Sequence, residues 1–143
     1  MTASGPQSPN ARPLHVPLVL GLLGNFAVFA YFFARGMIPL LPPPTDYGLI
    51  GGGMAAASLV LLLIGFLVFK PRVPRRHAGQ SPEAFMSDPE VFKRVMLPWI
   101  MWEGGGVIGV VGFAITGQVY PALAALLALL ALVLYGPRYF AEQ

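Results

Sequence analysis

Glu103 is the one charged residue in the apolar run from Val95 to Ile115. A carboxyl group in that setting has three uses. It can stay protonated and hold a hydrogen bond inside a helix bundle. It can carry a proton across a membrane. It can meet a polar group of another protein chain. Asn25 and Ser58, each inside another apolar run, are its candidate neutral partners. A third is the carbonyl of Arg94, which loses its helical donor because Pro98 has no N–H; a kink is expected there. Glu103, Asn25 and Ser58 thus form a candidate intramembrane polar site.

Other residues offer less chemistry. His15 can in principle ligate haem, but His77 falls in a polar link, so an axial pair within one chain is not expected. Trp99 and Trp102 suit the interfacial belt where aromatic rings meet headgroups, or a contact for a flat ligand. Gly51-Gly52-Gly53 lies within an apolar run with no strand before it, so it is not a phosphate loop. No pairing of nucleophile with base and no metal-ligand spacing stands out. The expectation is a non-enzymatic protein without cofactor or metal. There are no cysteines, which excludes disulfides and thiolate metal sites. The basic residues form no long stripe with interleaved aromatics, so nucleic acid is not an expected partner.

The elements that must position these residues are membrane helices. The 143 residues are 56% hydrophobic and only 10% charged, against about 25% charged in soluble domains. A soluble fold of this length could not hide so much apolar surface. A spanning helix needs about 20 mainly apolar residues. Four continuous runs meet or approach that length, and their lack of alternation favours helices over barrel strands. The expected architecture is all-α, a polytopic membrane protein with four transmembrane helices. Residues 14–35, 47–69, 89–117 and 119–136 form the spans. A tail at 1–13, a Pro-rich outer loop at 36–46, a basic loop at 70–88 and a tail at 137–143 complete the chain. The first run exceeds a signal-peptide core of about 7–15 residues and lacks a small-x-small cleavage site, so it is read as a retained span.

Ser81-Pro82-Glu83 and Asp88-Pro89-Glu90 both read as helix starts, each a capping side chain followed by proline and a carboxylate. Small residues recur at three-four spacing along the spans. They are Gly48, Gly51, Ala55, Ser58 and Gly65 in the second, Gly105, Gly109, Gly112 and Thr116 in the third, and Ala124, Ala128 and Ala131 in the fourth. Lipid gives apolar helices no drive to associate, so close backbone approach must supply contact. These stripes either pack the bundle or face another chain. Glu103 points nearly opposite to Gly105, Gly109 and Gly112 on a helical wheel. It lies about 12 Å from Val95 along the helix, near the middle of a hydrocarbon core about 30 Å thick. An ionised carboxylate is costly at that depth, so it is expected to be protonated and buried against protein.

Two further patterns concern organisation. Val16-Pro17 and Leu97-Pro98, Phe32 and Phe113, and Gly36 and Gly117 recur at the same spacing, and Lys70-Pro71-Arg72 and Gly136-Pro137-Arg138 close spans two and four. They suggest two tandem helical hairpins of one orientation, though so few matches in apolar sequence also arise by chance. Gly48, Gly51, Gly52, Gly53 and Gly65 look like a glycine-rich first helix. Pro89-Glu90, Lys93-Arg94 and Glu103, followed by Gly109-Val110-Val111, look like a loop end and a carboxylate-bearing second helix. In these residues, about half of the chain, spans two and three resemble the proteolipid ring subunit of rotary ATP synthases. That resemblance implies ion translocation through Glu103. The sequence departs from the family in its longer loop, in Ser87-Asp88-Pro89 where the family has Arg-Gln-Pro or Arg-Asn-Pro, and in two extra spans.

The lipid bilayer and other membrane subunits, in a homo- or hetero-oligomer, are the expected partners. A cytoplasmic (bacterial-type inner) membrane is the expected location. With four spans, Arg12, Lys70, Arg72, Arg75, Arg76, Lys93, Arg94 and Arg138 share one side and Arg35 takes the other, so positive-inside places both termini in the cytoplasm. The cysteine-free background allows a direct check. Single cysteines at Ser4, Gln80 and Glu142 are expected to be labelled only from the cytoplasm, and one at Thr45 only from outside. Labelling at Gln80 from outside overturns the assignment.

Overall fold

The computed structural model describes residues 12–39 and 46–142. Most of the expected N-terminal tail, and Pro42–Pro44 of the outer loop, lie outside the described residues. Among these residues six α-helices follow in order: α1 (Arg12–Ala34), α2 (Tyr47–Ile64), α3 (Pro82–Met86), α4 (Pro89–Thr116), α5 (Val119–Leu134) and α6 (Pro137–Ala141). The protein is all-helical among the described residues. The chain from α2 continues through a π turn at Gly65–Phe69 and a 3-10 turn at Lys70–Arg72. Three helical stretches are long and apolar enough to cross a membrane: Pro13–Ala34, Tyr47–Arg72 and Pro89–Thr116, of 22, 26 and 28 residues. The fourth apolar helix, α5, is shorter at 16 residues.

Local chemistry sets the boundaries. The Asp46 carboxylate accepts from the N–H of Leu49 at 2.9 Å and opens α2. Ser81 and Asp88 cap α3 and α4 through the N–H groups of Ala84, Glu90 and Val91, with proline next in line at each start. These are the two helix starts expected from the sequence. Gly36 and Gly117 end α1 and α4 in the left-handed region, at φ 69° and 66°, where a side chain would clash. Pro98 stands inside α4, which runs unbroken past it.

The helices run up and down. At one end, Tyr120 donates to the carbonyl of Gly48 at 3.0 Å, and Gly117 lies beside Ile38 and Pro39. At the other end, α3 packs on α6 and Trp99 lies against His15 and Phe140. Between them α4 is central. It packs on α1, α2 and α5, and 50% of its apolar window is buried, against 6% for α1. Its glycines let three neighbours in. A Cβ on Gly105 would stand 2.9 Å from the Ser58 carbonyl oxygen on α2. One on Gly109 would stand 2.6 Å from the Pro121 carbonyl and 2.8 Å from Ala125 on α5. On Gly112 it would meet Met54 at 2.7 Å, and on Gly106 it would meet Leu22 of α1. In α2, Gly51 faces Thr116, Gln118 and Tyr120, Gly48 faces its own Asp46, and Ala55 is buried.

Three expectations change. The hairpin α4–α5 is tightly packed, but α1 and α2 share little contact and α4 stands between them, so the two halves do not form matching packed hairpins. Their common feature is the left-handed glycine that ends the first helix of each. The basic loop at 70–88 is not simply a solvated link. Val73, Phe85 and Met86 are buried and join the core with Phe140 and Ala141, because α3 and α6 lie across the helix ends. Trp99 and Trp102 form no interfacial belt: both have no exposed surface.

The glycines can be ranked. Gly109→Ala is expected to cost about 2 kcal/mol or more, because its neighbours are backbone atoms that cannot yield. Gly106→Ala should cost less, since the tip of Leu22 can turn away. Gly52→Ala and Gly24→Ala meet nothing within 4 Å and should leave stability unchanged or slightly raised. Thermal unfolding in mild detergent measures all four. Wild-type melting of Gly109→Ala would refute the α4–α5 contact.

Candidate functional site

The expected polar site is not assembled around Glu103. Ser58 is fully buried and donates to the Gly105 carbonyl at 2.6 Å, tying α2 to α4. Asn25 is exposed on α1 and its amide donates to the Gly21 carbonyl one turn back, at 3.0 Å. Glu103 is half-buried and makes no hydrogen bond or ion pair among the described residues. The expectation that Glu103 is buried against Asn25 or Ser58 therefore fails within this chain. The reason is geometric. The glycine face of α4 carries α2 and α5, so the opposite side, which holds Glu103, turns outward. Leu22 packs on Gly106, which sets α1 and α4 in register. Glu103 is three residues before that contact on α4, and Asn25 is three residues after it on α1. Along the membrane normal they are separated by about 9 Å.

A second cluster occupies the α3–α6 end, and sequence reasoning missed it. Trp99 donates through Nε1 to the Tyr135 carbonyl at 2.8 Å. His15 Nε2 lies 2.7 Å from the Leu132 carbonyl, and a carbonyl only accepts, so that nitrogen carries the proton. Both donors serve the C-terminal carbonyls of α5, which a helix cannot satisfy itself. His15 is thus a cap for α5, and the contact with the Trp99 ring at 4.8 Å holds it there. Nothing in the local sequence of α5 announces this, because the donors come from α1 and α4.

Trp102 lies beside Phe66 and Tyr135, with ring centroids at 4.8 and 5.5 Å. Its Nε1 is buried without an acceptor and sits against the backbone of Gly65. The chain turns π-helical at that glycine, and the wider turn leaves room for the indole. Next to it, the Lys70 ammonium is 4.1 Å from the centre of the Tyr135 ring, 5.1 Å from Tyr139 and 5.8 Å from Phe66. Phe66 and Tyr135 also close one end of a groove of about 480 Å³ between α2 and α5, lined otherwise by leucines and Ala131. Among the described residues no group of three His, Cys, Asp or Glu side chains could hold a metal ion.

Two substitutions probe this end. Trp99→Phe keeps most of the packing and strips the Tyr135 carbonyl of its donor, with an expected loss of about 1–3 kcal/mol. Gly65→Ala drives a methyl into a fully buried indole and should cost a similar amount. Both are read as lowered melting temperature in detergent, and an unchanged Gly65→Ala would refute the Trp102–Gly65 contact. Compared with protein-family models, with curated proteins and with solved structures, the chain finds no match.

Proposed function

We propose that this chain is a small non-enzymatic membrane subunit that packs within a larger membrane assembly. The observation that carries the reading is the outward placement of Glu103 and Asn25. Both sit within apolar helices, Asn25 exposed and Glu103 half-buried, and among the described residues neither makes a hydrogen bond to another helix. Alone in a bilayer, that surface would leave a carboxyl group and an amide facing hydrocarbon. Polar side chains inside membranes turn toward protein or water. A helix of another chain, laid beside α1 and α4, would remove both from lipid. Gly21 and Gly24 lie near Asn25, are exposed and have nothing within 4 Å. They would admit such a helix at close range.

The accompanying topology has four spans with both termini in the cytoplasm. At about 24 Å, α5 is shorter than a hydrocarbon core of about 30 Å. A local thinning of the bilayer accommodates such a mismatch at modest cost. An even number of spans gathers Lys70, Arg72, Arg75, Arg76, Lys93, Arg94 and Arg138 at one end and leaves Arg35 at the other, as the positive-inside rule requires.

A second reading rests on the same free carboxyl. In it Glu103 carries protons or other cations at a subunit boundary, in the manner of the proteolipid ring subunits. The two readings separate by mutation. If the partner reading holds, Gly24→Leu and Asn25→Leu leave melting unchanged yet release the co-purifying subunit, because they touch only the outer surface. Glu103→Gln then weakens the complex and Glu103→Asp partly restores it. If Glu103 is an ion carrier, Glu103→Gln leaves the assembly intact and abolishes proton flux in proteoliposomes. A chain that purifies alone from mild detergent, with all four variants unaffected, would sink both.

A further inference from the structure

We propose that the groove between α2 and α5 binds one anionic phospholipid, with an acyl chain along the groove and the phosphate on Lys70. This site depends on membrane insertion and not on the partner reading above. The groove is apolar along its whole length. It runs from Leu59 of α2 to Phe66 in the π turn that follows, and from Leu127 of α5 to its C-cap Tyr135, which is roughly 11 Å of the ~15 Å depth of one leaflet. It opens sideways, since Leu63, Leu127 and Leu130 are exposed. A water-soluble ligand has no path to such a slot, whereas a lipid chain is already beside it.

Charge selects the headgroup. Lys70 ends the groove, and its ammonium is held over the Tyr135, Tyr139 and Phe66 rings. Among the described residues no carboxylate pairs with it. Three rings around one point are also what a quaternary ammonium headgroup would seek. That space is filled by Lys70 itself, so a choline group is excluded and an anion is attracted. Rings shared between cage and groove fix the ammonium at the height where a phosphate meets the first methylenes. Basic residues at the ends of membrane helices recognise anionic headgroups in this way.

The test uses the full chain in mild detergent, titrated with phosphatidylglycerol or with phosphatidylcholine of identical acyl chains. Bound lipid is read by native mass spectrometry and by melting temperature. Phosphatidylglycerol should bind preferentially and raise the melting temperature. Lys70→Gln should lower its apparent affinity about fivefold, to the level of phosphatidylcholine, and Lys70→Arg should retain the preference. Leu130→Trp fills the groove from its exposed side and should weaken both lipids. Equal binding of the two lipids to the wild type would overturn the proposal, as would an unaffected Leu130→Trp. The same shift produced by glycerol phosphate alone would also overturn it, by showing an anion site without a chain. Should Lys70→Gln fail to fold, Leu130→Trp decides: weakened binding supports the groove and full binding refutes it.

Discussion

Apolar side chains in a bilayer gain nothing by leaving lipid for one another, so a membrane bundle holds together only where its helices come close enough for backbone to meet backbone. In this chain that condition is met along one helix. Gly105 brings α4 onto the Ser58 carbonyl, Gly109 onto the Pro121 carbonyl and Ala125, and Gly106 onto Leu22. Three neighbours are seated by the absence of three side chains. The hydrogen bond from Ser58 to Gly105 depends on the same proximity, because a serine side chain is too short to reach across an ordinary helix crossing. The arrangement also explains why α1 is peripheral. It meets α4 where Leu22 fills the space above Gly106, and the rest of its surface is left to the surroundings.

The two ends of the bundle are held by different means. At the α3–α6 end, aromatic rings replace glycines as the packing material. Trp99 and Trp102 are large enough to reach neighbouring helices, and ring pairs add to the contact. Their N–H groups have opposite fates. Trp99 donates to the Tyr135 carbonyl at the end of α5, while Trp102 lies against Gly65 with its N–H unmet. An unmet indole N–H costs free energy. It is tolerated where the ring also contacts Phe66 and Tyr135, two residues that position Lys70. The cation over these rings joins α2 to α5 and α6 without a salt bridge, in a region where a carboxylate partner would itself need solvation.

How far the residues alone led can be judged position by position. The caps at Ser81 and Asp88 were legible, because a helix start is written in the few residues around it. Three helices long enough to span were legible for the same reason: apolar length is a local property. The burial of Trp99 and Trp102 was not, since tryptophan is equally at home at an interface, and the space it fills is set by residues distant in the chain, such as Gly65 for Trp102. The role of His15 was invisible too, because the carbonyl it serves is 117 residues away in the chain. The recurrence of Gly36 and Gly117 suggested two tandem hairpins. Each glycine does end a helix in the left-handed region, but Leu22 stands where Glu103 stands in the proposed repeat, and the two helices make different contacts.

That last difference separates what folds this chain from what the chain is for. The glycines of α4 commit one side of the helix to α2 and α5, and a helix has only one side left. Evolution of a self-sufficient bundle would place leucine or valine there, as at Ile100, Val107 and Val111, which are exposed. Glu103 instead interrupts that surface with the group lipid tolerates least, and Asn25 does the same on the helix beside it. Among the described residues neither side chain hydrogen-bonds from one helix to another, so neither is explained by the stability of the bundle. That is the ground on which the proposed partner helix, and the alternative ion role, rest.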